Sequence, residues 1–175
     1  IFVGKDDMVY DIEYYSYMIR YVYIWLYIIC NTNSNCVKHL TVKIFMTDYK
    51  KKLPDTINEV IGVDNVNSGY SDMCQEDGSI VIYRKEEWFK VLIHETFHNF
   101  GLDISNNNKS EINKRLKSLY KLDIDYNICE TYCEFWAEVI NCQFISYSML
   151  EDINDKDSFL LYFKALMYIE KVFSF

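Results

Sequence analysis

The chain has 175 residues, half of them hydrophobic, and a formal net charge of −8. This length suits one domain with a substantial core, and the hydrophobic fraction excludes a disordered chain. The acidic balance argues against a nucleic-acid partner, because proteins that bind nucleic acid present a basic face. The first residue is Ile1, so the single domain that we predict over residues 1–175 could be a fragment of a longer protein.

The predicted elements run in the order helix, strands, helices, which is typical of an α+β fold. The first helix covers Val9 to Cys30, and alternating apolar and polar residues indicate a strand over Val37 to Thr47. Val60 to Tyr70 holds one or two short strands, and the β-branched segment Ser79 to Arg84 predicts a strand at the edge of the sheet. Helical periodicity then predicts four helices, over Glu86–Phe100, Ser110–Leu122, Cys129–Tyr147 and Asp157–Phe173.

The first helix contains an aromatic and aliphatic run from Tyr14 to Cys30 that carries one charge, Arg20. A membrane-spanning helix needs about 20 apolar residues, and this run is slightly short and rich in tyrosine. We therefore expect a buried helix and no membrane partner. A membrane-anchored form is the alternative.

Six cysteines occur in the chain, and three disulfides would be possible in a secreted protein. A domain of this size does not need disulfides to form a core. Free thiols and an intracellular, reducing location are therefore the expectation. Cys129 and Cys133 are four residues apart, but no further cysteine pair completes a zinc site with them.

The segment from His94 to His98 reads H-E-T-F-H within the predicted helix Glu86–Phe100, and Gly101 follows as a C-cap. Residues four apart share one face of a helix, so His94 and His98 can bind one metal ion. Zinc binds neutral imidazole, keeps one position open for water and lowers the pKa of that water to about 7. Glu95 lies beside this position and is the candidate general base.

A catalytic zinc site needs a third protein ligand, and the sequence offers two routes to it. The pattern H-E-x-x-H-x-x-G-x-x-H has its glycine at Gly101 but Ile104 in place of the last histidine, with Asp103 one residue early. The other route is a glutamate from a later helix. Three glutamates lie four residues apart in one stripe of such a helix, where a nearby dication would offset their mutual repulsion: Glu130, Glu134 and Glu138.

With this second motif, the chain resembles the gluzincins, and within them the lethal-factor-like and related viral-type peptidase domains. The segment Glu134 to Glu138 reads E-F-W-A-E, which is similar to the ligand motif of that group. The resemblance implies Glu134 as the third ligand of one Zn²⁺ ion, with Glu138 as hydrogen-bond acceptor for a ligand histidine. Glu130 is the competing third ligand, because Glu130 and Glu134 repeat the same spacing.

The resemblance further implies a zincin-like fold, in which the first helix and a small mixed sheet pack on the H-E-x-x-H helix and a helical part follows. Glu95 would take a proton from water during hydrolysis of a peptide bond and pass it to the leaving amine. A tyrosine would stabilise the oxyanion, with Tyr126 as the first candidate and Tyr132 as the second.

The predicted function is therefore that of a zinc-dependent peptidase acting on a peptide or protein substrate. The alternative is an inactive zincin-type domain that binds a protein partner and holds a structural metal, for which Glu130 could supply a fourth ligand. Iron also uses two histidines and a carboxylate, but a helical H-E-x-x-H is not the usual pattern of those sites.

Overall fold

The computed structural model describes residues 12–32, 36–52, 54, 56, 59, 62–104 and 109–173. Across these residues the chain has an α+β fold with three strands and six helices, one of which is a single turn. The predicted α+β class is therefore confirmed. The chain divides into two compact units, Ile1–Asn33 and Ser34–Phe175. The prediction of one domain over the whole chain stays a prediction.

The first unit contains helix α1, Ile12–Cys30. Exposed rings lie along one side of it, where Tyr23 and Tyr27 stack with their centroids 6.4 Å apart. Four buried side chains recur at three- and four-residue spacing, which places them on one face of the helix: Met18, Tyr21, Trp25 and Ile29. None of the helices in the described ranges has the length and apolar character needed to cross a membrane.

The second unit is built on a mixed three-stranded sheet with the order β1-β3-β2. Strand β3 (Asp77–Ile82) pairs in parallel with β1 (His39–Ile44) and antiparallel with β2 (Gly69–Ser71). The prediction that the β-branched strand lies at the edge of the sheet is therefore wrong. A short run of β-branched residues suits a central strand as well as an edge, and the sequence does not distinguish them.

In the second unit, the long helices pack in succession outward from the sheet. Helix α3 (Trp88–Asn99) contacts β2 and β3 on one side and α5 (Ile128–Ser148) on another, and α6 (Lys156–Phe173) packs on α5. The two remaining helices of this unit are α2 (Val63–Val66) and α4 (Lys109–Tyr120). Side chains of α3, α5 and β3 make up much of the buried core: Ile80, Ile82, Leu92, Ile93, Cys133 and Ala137.

Cys36 and Cys74 form a disulfide that joins the segment before β1 to the turn between β2 and β3. The expectation of free thiols is therefore wrong for this pair, whose Cα atoms lie 4.7 Å apart, within the range that a disulfide requires. The bond is a weak indication of a non-reducing environment, which counts against the predicted reducing location. The remaining cysteines are free: Cys30, Cys129, Cys133 and Cys142.

Candidate metal centre

Helix α3 places the two histidines of the H-E-x-x-H motif on one face, as the four-residue spacing predicts. The imidazole centroids of His94 and His98 lie 5.0 Å apart, and their Nε2 atoms are separated by 3.2 Å. The surrounding helix is largely buried because it contacts both the sheet and α5. The two Nε2 atoms therefore converge on one point at the helix surface.

Helix α5 brings a carboxylate to the same point. Oε2 of Glu130 lies 3.1 Å from Nε2 of His94 and 3.4 Å from Nε2 of His98. Asn127 caps this helix, and its side chain accepts from the backbone N–H of Glu130, so the carboxylate projects from the first turn. Among the described residues, His94, His98 and Glu130 form a group that could hold a metal ion.

The spacing of these three donor atoms fits a tetrahedral metal ion. Zinc binds nitrogen and carboxylate oxygen at about 2.0–2.2 Å, which places two ligands of a tetrahedron about 3.3–3.6 Å apart. The measured separations of 3.1 Å, 3.2 Å and 3.4 Å are close to this edge length. Two imidazoles and one carboxylate are also a donor set that zinc accepts in catalytic sites.

The second ring nitrogen of each histidine bonds to its own carboxylate. Nδ1 of His98 lies 3.0 Å from Oδ2 of Asp103, and Nδ1 of His94 lies 3.1 Å from Oε2 of Glu134. Such pairing orients an imidazole and leaves Nε2 as the metal-binding nitrogen. Both histidines therefore show the arrangement that ligand histidines commonly have.

A Schellman turn at the end of α3 carries Asp103 back to His98. The N–H of Gly101 donates to the carbonyl of His98, and the N–H of Leu102 donates to that of Phe97. Gly101 has a φ of +62°, a left-handed conformation that favours glycine. Gly101 ends the helix as predicted, directly after the C-cap residue Phe100, and the same turn places the Asp103 side chain.

Glu134, predicted as the third ligand, lies on the far side of the His94 ring from the converging Nε2 atoms. Its other oxygen accepts from Nζ of Lys90 at 2.7 Å, and the same ammonium lies 3.4 Å from Glu138. The geometry therefore favours Glu130, the competing candidate, for direct metal contact. The resemblance implies Glu138 as the hydrogen-bond acceptor for a histidine. In the structure, Glu134, one turn earlier, contacts the histidine instead.

The candidate general base, Glu95, faces the same cleft and is 9 % exposed. Burial raises the pKa of this carboxyl, although the hydrogen bond from Ser71 opposes the shift. A base whose pKa is raised toward neutrality is better matched to proton transfer near pH 7. Glu95 lines the same cleft as His94, His98 and Glu130, and its role as general base stays a prediction.

The charges of the centre stabilise one another. Hydrogen bonds with His94 and His98 lower the pKa of Glu130 well below its usual range, and that with His94 lowers the pKa of Glu134 to about 2. Burial disfavours protonated His94, but its hydrogen bonds to Glu130 and Glu134 outweigh this and raise its pKa to about 9. Cys133, Glu130 and Asp103 raise the pKa of His98 to about 11. The cluster is thus strongly anionic once its histidines are neutral.

The three donor atoms open into a cleft of about 920 Å³. Residues of strand β2, of α3 and of the start of α5 line this cleft. Apolar and polar side chains both contribute, and the residues beyond the centre itself include Lys51, Val66, Tyr70, Met73, Val91 and Phe135. The size of the cleft is within the range of ligand-binding sites.

The two tyrosines predicted to stabilise an oxyanion do not line this cleft. The hydroxyl of Tyr126 is buried without a hydrogen-bond partner among the described residues, and its ring lies 6.0 Å from that of Tyr120. Tyr132 packs edge-to-face on Phe97, with centroids 6.1 Å apart. Among the described residues, the tyrosine that lines the cleft is Tyr70 on β2.

Three residues of the site escaped the sequence prediction as functional partners. The sequence did point to Asp103, because this residue follows the glycine of the extended motif and lies one position before the third histidine that the motif would have. Ser71 and Lys90 carried none, since a serine in a short strand and a lysine in a helix occur in most domains. Their roles become visible only when β2 and α5 are brought against α3.

Comparisons of this chain with protein-family models, with curated proteins and with solved structures found no match.

Proposed function

We propose that this chain is a zinc-dependent peptidase with a gluzincin-type centre in a zincin-like domain. His94, His98 and Glu130 are the proposed ligands, and Glu95 is the proposed general base. The observation that carries the proposal is the convergence of three donor atoms beside a buried carboxylate in one open cleft. This revises the sequence prediction by moving the third ligand from Glu134 to Glu130.

Zinc in such a site would act as a Lewis acid and would lower the pKa of a bound water. Glu95 accepts the proton of the attacking water and delivers it to the amine that leaves, so that peptide-bond hydrolysis is balanced. Asp103 and Glu134 hold the imidazoles in the tautomer that presents Nε2. Lys90 neutralises Glu134 and keeps that carboxylate in place.

An extended peptide has a binding edge beside these groups. Strand β2 is the terminal strand of the described sheet, and Gly69, Tyr70 and Ser71 line the cleft. Such an edge can pair with the backbone of a substrate, and alternate side chains then enter the cleft. A peptide or protein substrate therefore suits the site.

The rival function is that of a binding domain with a structural metal. A closed structural zinc site usually has four protein ligands, whereas three described residues converge here and they face a cleft. Three ligands leave one coordination position for water or substrate. The arrangement therefore favours a catalytic centre over a structural one.

Replacement of Glu95 by glutamine tests the proposal. We expect the wild-type chain to hold one zinc ion, by elemental analysis, and to cleave members of a peptide library. Glu95→Gln should keep the zinc and retain only a small residual rate of cleavage. Glu111→Gln is the matched control, because Glu111 pairs with Arg115 on α4 outside the cleft. Cleavage at the wild-type rate in Glu95→Gln, or a wild-type chain that binds no zinc, contradicts the proposal.

A further inference from the structure

Strand β2 contacts the candidate base through the hydroxyl of Ser71. Oγ of Ser71, on β2, lies 2.7 Å from Oε2 of Glu95 and 3.2 Å from its backbone carbonyl. A hydroxyl has one hydrogen, and a bond to a charged carboxylate is stronger than one to a carbonyl. The shorter contact therefore restrains the carboxylate.

The backbone around Ser71 is itself held in place on α3. Gly69 lies so close to the helix that a Cβ on it would come within 2.9 Å of Cγ1 of Val91. At the other end of β2, Nδ2 of the buried Asn99 donates to the carbonyl of Asp72 at 2.8 Å. Contacts with α3 therefore fix the position of the backbone on both sides of Ser71.

These contacts follow one stripe of α3. Val91, Glu95 and Asn99 are four residues apart and lie on one face of the helix. Gly69, Ser71 and Asp72 meet them in the same order along β2. The glycine permits the close approach, the asparagine anchors the end, and the serine hydroxyl arrives at the carboxylate between them.

We propose that Ser71 is a positioning residue for the general base, and that through it the substrate-binding edge strand aligns Glu95. The inference rests on the proposed peptidase function. A carboxylate that is free to change rotamer spends only part of its time near the reacting water. The Ser71 hydroxyl restricts those rotamers without taking up a proton itself.

The kinetic test uses the full zinc-loaded chain and the best peptide from the library. We expect Ser71→Ala to lower kcat by about 10–100-fold with KM and zinc content close to wild type. Ser71→Thr, which keeps the hydroxyl, should recover most of kcat. Ser79→Ala on the neighbouring strand is the matched control, since Ser79 does not line the cleft. A wild-type kcat in Ser71→Ala overturns the proposal.

A general structural role is separated by repeating Ser71→Ala in the Glu95→Gln background. If Ser71 acts through Glu95, the residual rate of Glu95→Gln does not fall further. A further fall of similar size in that background means that Ser71 acts elsewhere, and overturns the proposal.

A second readout does not depend on activity. We expect Ser71→Ala and Glu95→Ala to change the unfolding equilibrium constant of the chain non-additively, because the two side chains share one hydrogen bond. Additive effects overturn the inference. If the zinc-loaded wild type cleaves no peptide, the proposed function fails, while this cycle still decides whether Ser71 holds Glu95.

Discussion

Each histidine of the centre has two ring nitrogens with separate tasks. Nε2 of His94 and Nε2 of His98 face each other and Glu130, whereas both Nδ1 atoms face carboxylates. A ring that is held at Nδ1 cannot swing its Nε2 away from a metal ion. At the scale of the residue, the site is therefore defined by which nitrogen meets which carboxylate.

The stripe of glutamates on α5 provides a direct test of these roles. We expect Glu130→Ala to abolish detectable zinc binding, since it removes a proposed ligand. Glu134→Ala should weaken zinc affinity by about 10–100-fold through loss of the bond to His94. Glu138→Ala is the control on the same face and should bind zinc as the wild type does. Competition with a chromophoric chelator measures all three. Zinc loss confined to Glu134→Ala would restore the ligand predicted from the sequence.

Protons compete with a metal ion for the imidazoles. The carboxylate partners raise the pKa of His94 to about 9, so this ring carries a proton at neutral pH and must release it when a metal binds. We therefore expect zinc affinity to rise with pH up to about pH 9, where His94 loses its proton, and to continue rising toward about pH 11, the pKa of His98; binding should release protons. Calorimetric titrations in buffers of different ionisation enthalpy measure both. An affinity that is independent of pH contradicts the assignment.

At the scale of the element, the turn after α3 brings the end of this helix to the disulfide. Gly101 ends the helix in a left-handed conformation, and a Cβ on it would come within 2.6 Å of Sγ of Cys36. The same turn presents Asp103 to His98. A change at Gly101 should therefore affect both stability and the orientation of His98.

We expect Gly101→Ala to reduce the free energy of unfolding by about 1–3 kcal/mol, because a residue with a Cβ is strained at positive φ and meets a sulfur atom. Urea denaturation followed by circular dichroism measures this. Gly62→Ala is the matched control: its added Cβ would lie 3.7 Å from Asn65, an ordinary contact. Equal stability of the two variants would show that the turn tolerates a side chain.

At the scale of the second unit, one disulfide links the segment before β1 to the turn between β2 and β3. The disulfide joins residues 38 apart in sequence, and both lie outside the hydrogen-bonded strands. It restricts the unfolded chain, and it closes the turn that follows Ser71 and Asp72.

We expect loss of this bond, in Cys36→Ser/Cys74→Ser, to lower the free energy of unfolding by about 2–4 kcal/mol. A reductant should destabilise the wild type by a similar amount and leave the double variant unchanged. Cys30→Ser is the control, since Cys30 is free and exposed. Thiol titration of the unfolded, unreduced chain should find four thiols, and six would contradict the disulfide.

The sequence by itself determined the parts of the site that depend on local geometry. Four-residue spacing on a helix brings His94 beside His98 whatever surrounds them, and Glu95 follows from the same motif. Gly101 indicated the end of that helix. The long periodic segments predicted the bounds of α5 and α6 to within one residue at each end. Each of these features depends on residues that are close together in the sequence.

Only the tertiary structure decided which residues from distant parts of the sequence contact His94, His98 and Glu95. Glu130, Glu134 and Glu138 share one stripe, so the choice among them depends on where α5 passes α3, which no local pattern encodes. The same reason explains why β3 is central, why Ser71 reaches Glu95 and why Cys36 finds Cys74. Each of these contacts joins segments that are far apart in sequence, and packing of the whole unit determines which of them form.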